Sequence, residues 1–453
     1  MRKASFLTVV ACVLATSFDA HGAGNPGDSE EIAQIREQLQ LLIQRVDRLE
    51  AENDALKAQN ENLSLQGEYL KAETRGLRKD SATHASKAAK VKGADWASRV
   101  ALKGDLRYRH EQISDETLNS SGVRSTADRY RDRIRARFSA EVKATDSIML
   151  GIGFATTEGG DPRSSNQSLG GVFSRKSLDL DLAYFDWKFA SWANLIGGKM
   201  KQPFFKPGQS LFWDNDINPE GLAVGFTRGI YFGTAYNYWI NEISGPESAV
   251  TADTMLRGAQ FGARLPIGAA TLALAAHYYD LSAGEGRAPF FNNSANGNTT
   301  INVTSGTPPV TTAVLANDYE VINLSAEFNT IIGALPFQLW ADLAQNQDAD
   351  DFDTAWAAGV LFGKAGDYRT WEIGTAYQVV EKDALFAQLI DSDFAGGNAD
   401  NEGLVLRAAY APVRNWVLNA TYFMNERNAD VANSAGQRAV DYDRLQLDFS
   451  VKF

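Results

Sequence analysis

The sequence has little of what enzymes and secreted disulfide proteins rely on: one cysteine and four histidines in 453 residues. The lone Cys12 excludes an internal disulfide, and the histidines lack the spacing of a zinc site. No segment supplies a recognisable nucleophile, so we predict no enzyme activity, no catalytic residue, no metal and no cofactor. The alternative is an outer-membrane hydrolase that uses one of the two histidines on predicted strands, His110 or His277.

Long apolar runs are also missing, because beyond the N-terminus nothing approaches the roughly 20 apolar residues of a membrane-spanning helix. Transmembrane β-strands escape that test, since apolar residues facing lipid alternate with polar residues facing the lumen. A basic excess is missing too. The formal net charge of −12 argues against a nucleic-acid partner and agrees with acidic outer loops.

The first residues resemble an export signal. Arg2 and Lys3 precede an apolar run at 6–15, and small residues follow at 20–23. We predict a secretory signal peptide over residues 1–23. A lipoprotein signal ending at Cys12 is the alternative, but it leaves too short an apolar run.

A heptad pattern follows over residues 30–78. Apolar residues occupy the d positions and the first a positions, whereas Asn53 and Asn60 fall at a, where a buried Asn fixes register and strand number, and Gly67 and Thr74 fall at the later a positions. We predict a coiled coil, with a single solvated amphipathic helix as the alternative. Residues 79–95 are basic, small and non-periodic, which predicts a flexible linker. Its lysines could contact peptidoglycan or an anionic head-group surface, with a solvated charge run as the alternative.

The remaining chain, 96–453, alternates with period two. In the last segment, Leu445 to Phe453, apolar residues alternate with Gln446, Asp448, Ser450 and Lys452. The fold class is therefore predicted as all-β, an antiparallel transmembrane barrel of about sixteen strands behind the periplasmic coil. Alternating short and long connections place both barrel ends in the periplasm. The terminal Phe453 resembles the signal that the barrel-assembly machinery reads in outer-membrane proteins.

The second strand carries arginines at alternate positions. Because arginine in lipid is costly, this face must line the lumen, and Arg107 and Arg109 of the first strand can extend it. Such a wall would concentrate anions. The alternative is a structural wall neutralised by carboxylates. The second-strand residues of the predicted wall are Arg129, Arg131, Arg133, Arg135 and Arg137.

The third long loop combines aromatic and charged residues. If it folds into the lumen, its acids would face the arginine wall and its lysines would add positive charge at the same level. Its aromatic residues, Phe204, Phe205, Phe212 and Trp213, could simply pin it to the wall. The predicted constriction residues are Asp214, Asp216, Glu220, Lys199, Lys201 and Lys206.

The signal peptide, the heptads, the segment "GKMKQPFFKPG" and the ending "LDFSVKF" together resemble the putative porin family of proteobacteria. The resemblance implies a sixteen-stranded, homotrimeric channel in outer-membrane lipid and lipopolysaccharide. We therefore predict passive diffusion of small hydrophilic solutes with a preference for anions. The alternative is a structural anchor that tethers the envelope through its coiled coil.

Overall fold

A computed structural model describes most of the barrel and part of the preceding helix. The chain divides into two units, Met1–Ala94 and Asp95–Phe453. The predicted signal peptide, the linker, Cys12 and Asn60 lie outside the described residues. These are 37–38, 40–57, 59, 97–119, 122–245, 247–248, 250–282, 284–292, 294–306, 308–428, 430 and 439–453.

In the first unit, residues 40–57 are helical. The described part of the predicted seam is solvent-exposed: Leu42 is 61% exposed, Leu49 57% and Leu56 60%. Asn53 lies in the same helix and is exposed as well. A helix is thus present where the heptads predict one, and its assembly into a coiled coil stays a prediction. In the part of the chain described, we find no helix both long and apolar enough to span a bilayer.

The second unit is a closed antiparallel barrel of sixteen strands, with one short strand and one hairpin added in its loops. Short 3-10 helices span Ala97–Arg99 and Phe394–Gly397. The strands are β1 (Val100–Leu118), β2 (Arg124–Lys143), β3 (Ile148–Thr156), β4 (Gln167–Ser168), β5 (Leu178–Ala190), β6 (Ala193–Lys199), β7 (Glu220–Arg228), β8 (Tyr231–Asn241), β9 (Thr254–Ile267), β10 (Ala270–Leu281), β11 (Thr300–Ser305), β12 (Val310–Leu315), β13 (Tyr319–Ile332), β14 (Leu335–Asn346), β15 (Thr354–Gly363), β16 (Thr370–Val380), β17 (Asn401–Val413), β18 (Trp416–Arg427) and β19 (Val440–Lys452).

Closure occurs between the first and last strands. β1 pairs with both β2 and β19, and the main chains of Gly104 and Phe453 exchange hydrogen bonds of 3.1 and 3.0 Å beyond the end of β19. The two-residue β4 pairs with β2 beyond the end of β3, and β11 and β12 form a separate hairpin between β10 and β13. Closure removes the free sheet edge that could not be tolerated at membrane depth.

The period-two pattern is realised as two opposite faces of the wall. On β19, Leu447 and Phe449 are 44% and 38% exposed on the outside, whereas Gln446 and Asp448 are buried inside. A shift of one residue in the pairing of β19 would turn its polar side chains toward lipid, so the alternation of apolar and polar residues fixes the register of the strand. At the tight turns between strands, Gly229, Gly268 and Gly333 adopt left-handed backbone conformations that favour glycine.

Two long connections fold inward and fill part of the barrel. They are the β6–β7 loop (200–219) and the β16–β17 loop (381–400). Apolar residues of both, including Phe212 and Phe386, are buried in one cluster with wall residues such as Tyr238 and Trp340. Main-chain bonds join the two loops: Asp214 N–H donates to Leu389 O at 2.8 Å, and Asp391 N–H donates to Leu211 O at 3.0 Å. Together they narrow the lumen opposite β1 and β2.

Candidate functional site

The predicted arginine wall stands on the inner face of β1 and β2. Arg135 and Arg137 both bind Asp105, at 2.8 and 2.7 Å. Arg109 forms a bidentate pair with Asp448, at 2.6 and 2.8 Å. Arg107 lies 3.8 Å from the same carboxylate and donates to Asn166 at 2.6 Å. The β-alternation places these guanidinium groups in one row, and carboxylates on β1 and β19 neutralise part of it.

A fully buried carboxylate, Glu111, anchors the upper part of the wall. Arg131 binds it directly, while Arg109 and Arg133 lie 3.5 and 3.9 Å away. Gln446 donates to it at 3.2 Å. Because its oxygens are shared among several donors, Glu111 fixes the positions of neighbouring arginines.

The β6–β7 loop presents Asp216 to this wall. Its carboxylate lies 3.2 Å from Arg137 and 3.9 Å from Arg135, and it accepts bonds from the main-chain N–H and the hydroxyl of Ser165 at 3.1 and 2.8 Å. Although burial opposes it, the two guanidinium groups hold the pKa of Asp216 below its usual value. The loop tip is thus bound to the wall by charge.

Asp214 of the same loop faces the second inserted loop instead. It accepts the N–H of Ser392 at 2.9 Å and the N–H of Asp216 at 2.7 Å. Burial, together with nearby Asp391 and Asp216, raises the pKa of Asp214 well above its usual range. Asp214 therefore connects the two loops and does not reach an arginine of the wall.

The β16–β17 loop contributes two further carboxylates. Asp393 lies 2.9 Å from Arg109 and also binds Arg444. Although burial opposes it, these two cations hold the pKa of Asp393 well below its usual range. Burial and the neighbouring Asp393 raise the pKa of Asp391 to about 6. One acid of this loop is thus firmly charged, and the other titrates near neutral pH.

Between the wall and the loops lies a cavity of about 600 Å³. Both inserted loops and strands β1, β2 and β16 to β19 contribute to its lining. Eight of the lining side chains carry cationic groups and five carry carboxyl groups. The cations are Arg107, Arg109, Arg135, Arg137, Arg163, Lys201, Arg407 and Lys452, and the acids are Asp214, Asp216, Asp391, Asp393 and Asp448.

Six of the predicted pore-lining residues do not line this cavity: Arg131 and Arg133, which stand beside Glu111, and Lys199, Lys206, Glu220 and Arg129. Lys199 and Glu220 pair with each other at 3.0 Å where β6 ends and β7 begins, so Glu220 does not face the arginine wall. Lys206 donates to Asn215 of its own loop at 2.7 Å, and burial lowers its pKa to about 8. Arg129 is exposed toward the outer end of β2. Alternation alone could not separate these positions from those at the narrow level.

The aromatic residues of the β6–β7 loop pack it against the wall. Phe204 contacts the rings of Trp213, Tyr236 and His277, with centroids 5.1, 5.6 and 4.7 Å apart. His277 is buried among these rings, and its Nε2 lies 2.8 Å from the hydroxyl of Tyr236. The packing agrees with the pinning alternative for these aromatics.

His110, the other candidate for a hydrolase, lies on the outer face of β1. Its Nδ1 lies 2.9 Å from Asp132, which also accepts the hydroxyl of Tyr108 at 2.7 Å. This polar group is on the opposite face of the wall from the cavity. Among the described residues no cluster of metal-binding side chains is present.

Several site residues were not singled out from the sequence. Arg407 and Arg444 share the inward parity of their strands, so alternation could have identified them. The segment "ALFAQLI" at 384–390 is an apolar run inside a predicted outer loop, which could have indicated a buried loop. Its consequence, that Asp393 reaches Arg109 of the arginine wall, depends on contacts between segments distant in sequence.

Comparisons with known proteins bear on the family and the fold. A family model described as "Putative porin" matches residues 116–330 and 310–453. OprB of Pseudomonas putida is 12% identical with a TM-score of 0.50, covering 81% of this chain and 97% of that one. A loop-deletion mutant of OmpT, an outer membrane protein of Vibrio cholerae, is 12% identical with a TM-score of 0.43, over 78% and 99%. A triple mutant of Rhodopseudomonas blastica porin is 10% identical with a TM-score of 0.40, over 78% and 100%. A search of curated proteins gave no match.

Proposed function

The chain belongs to the putative porin family, its second unit is an outer-membrane barrel of the porin type, and we propose that it conducts small hydrophilic solutes passively with a preference for anions. The observation that carries the preference is the cavity lining, where eight cationic side chains stand against five carboxyl groups. A net positive lining in a narrow, partly low-dielectric passage concentrates anions and depletes cations.

The carboxylates that touch the wall support this proposal further. Asp105 and Glu111 neutralise arginines from outside the cavity lining, while Asp216 and Asp448 do so within it. The arrangement therefore fixes the guanidinium groups in place without cancelling their charge entirely. Fixed charges attract permeating ions more effectively than mobile side chains, because they need no reorganisation when an ion arrives.

Reversal potentials in an asymmetric KCl gradient test the proposal. We expect purified protein in planar bilayers to form open channels whose reversal potential has the sign of chloride selectivity. A cation-selective reversal potential would refute the anion preference. Failure of a correctly folded barrel to conduct at all would refute the channel itself.

We also propose that three copies assemble through the N-terminal helix, with the coil in the periplasm. The support is the exposed apolar seam of the helix at 40–57, since Leu42, Leu49 and Leu56 are 61%, 57% and 60% exposed. Chemical cross-linking in mild detergent should give a trimer. A monomer, or a dimer, would contradict this assembly.

A further inference from the structure

The cavity contains two cations without partners. Arg407 on β17 and Lys201 at the start of the β6–β7 loop both line it. Within the described segments, neither forms a hydrogen bond or an ion pair within 4 Å, and the Nε of Arg407 is a buried donor with no acceptor. Glu372, Asp391 and Asp448 act on the charge of Arg407 from farther away, and Lys201 is exposed. An N–H group of a guanidinium usually has a hydrogen-bond acceptor when it is shielded from water, so the lack of an acceptor for the Nε of Arg407 is unusual.

The carboxylates of the cavity are already engaged elsewhere. Asp448 binds Arg109, Asp393 binds Arg109 and Arg444, and Asp216 binds Arg135 and Arg137. The other two accept main-chain N–H groups: Asp214 that of Ser392, and Asp391 those of Asp393 and Phe394. No acid of the lining therefore pairs with Arg407 or Lys201.

The surroundings of Arg407 leave room for an added group. Its neighbours across the sheet are Gly374 on β16, which has no side chain, and Thr421 on β18. Asn419 and Thr421 line the same cavity beside the guanidinium, and the Asn419 amide donates to the Thr421 hydroxyl at 3.0 Å, which leaves that hydroxyl able to donate to an added group. A volume of about 600 Å³ lies within the range of ligand sites in proteins.

We propose that Arg407 and Lys201 form a saturable binding site for small oxyanions, meaning solutes that carry a carboxylate or phosphate group. Such a group offers two or more oxygens to the planar fork of Arg407, whereas chloride offers a single point charge. Arg107, whose Nε is also a buried donor without an acceptor, would extend the site toward β1. This inference deepens the proposed anion preference and rests on it.

Competition with chloride current in planar bilayers tests the site. Inorganic phosphate or succinate, added at constant ionic strength, should reduce the chloride current along a saturating curve. The half-blocking concentration of succinate compared with that of phosphate distinguishes carboxylate-bearing from phosphate-bearing solutes as the preferred source. A current that changes only in proportion to added anion, without saturation, would overturn the proposal.

Variants locate the effect. Arg407→Gln or Lys201→Gln should each raise the half-blocking concentration at least about tenfold, the loss expected for one charge-assisted contact. The matched control Arg228→Gln, at an exposed position of β7 outside the cavity, should leave the blocking curve unchanged. Equal block in wild type and Arg407→Gln would overturn the site.

The same recordings separate this inference from the proposed function. A chloride-selective reversal potential without saturable block refutes the oxyanion site and leaves the anion channel standing. A cation-selective channel refutes both. Because a variant could fail to fold, heat-modifiable migration on gels and unitary conductance verify each barrel. Isothermal titration of the folded wild-type protein with phosphate gives a second measure of saturation.

Discussion

Replacing Arg107 by glutamine removes one cationic charge from the cavity and keeps the neighbouring ion pair. Asp448 keeps its bidentate pair with Arg109 at 2.6 and 2.8 Å, whereas the shorter glutamine gives up the 2.6 Å bond from the guanidinium to Asn166. The substitution therefore tests charge with little disturbance of packing. The side chain of Arg107 is only 11% exposed, so its charge acts on the passage and hardly on bulk solvent.

The size of the effect follows from the cavity. A sphere of about 600 Å³ has a radius of about 5 Å, which places a lining guanidinium about 7 Å from its centre. At that distance one charge contributes about 0.6 kcal/mol in water, and about half of that at a Debye length of about 10 Å. Its removal acts oppositely on anions and cations. The anion-to-cation permeability ratio of Arg107→Gln should therefore fall about three- to sevenfold.

The assay is the reversal potential in a KCl gradient at about 0.1 M mean ionic strength, with Arg228→Gln as the matched control. The shift should shrink as salt is raised, because screening shortens the reach of the charge. An unchanged ratio in Arg107→Gln, or an equal fall in the control, would refute the electrostatic reasoning. A large conductance increase without a selectivity change would indicate a steric role.

Three other predictions concern the loops and the helix. Asp216→Asn should lower the free energy that holds the β6–β7 loop on the wall by roughly 3 kcal/mol, because two arginines and Ser165 lose their charged partner. Amide hydrogen exchange over 200–219 should then become faster. An unchanged exchange rate would contradict this. Lowering the pH from 8 to 5 should protonate Asp391, because burial raises its pKa to about 6. The anion preference should therefore increase, and this pH dependence should flatten in Asp391→Asn. A decrease of the anion preference at pH 5 would contradict the prediction. Leu49→Asp should abolish cross-linking into trimers, whereas the exposed Glu50→Gln should not.

The sequence by itself determined the class of fold. Alternation over β17 and β19 sorted lipid-facing from lumen-facing residues, because a period of two leaves each side chain only one of two faces. It also determined that the arginines of β2 point inward, since the opposite placement would bury charge in lipid. The helix at 40–57 followed from the heptads in the same way.

Only the tertiary structure decided which inward residues meet. Alternation places the side chains of both Arg129 and Arg135 on the inner face of β2. Their level along the barrel axis, however, depends on the tilt of the strands and on where the loops enter the lumen. The insertion of residues 381–400 was not predicted, because its contacts with Arg163 and Asn298 join segments far apart in sequence. The cavity charges are therefore a property of closure and loop packing, which no local pattern encodes.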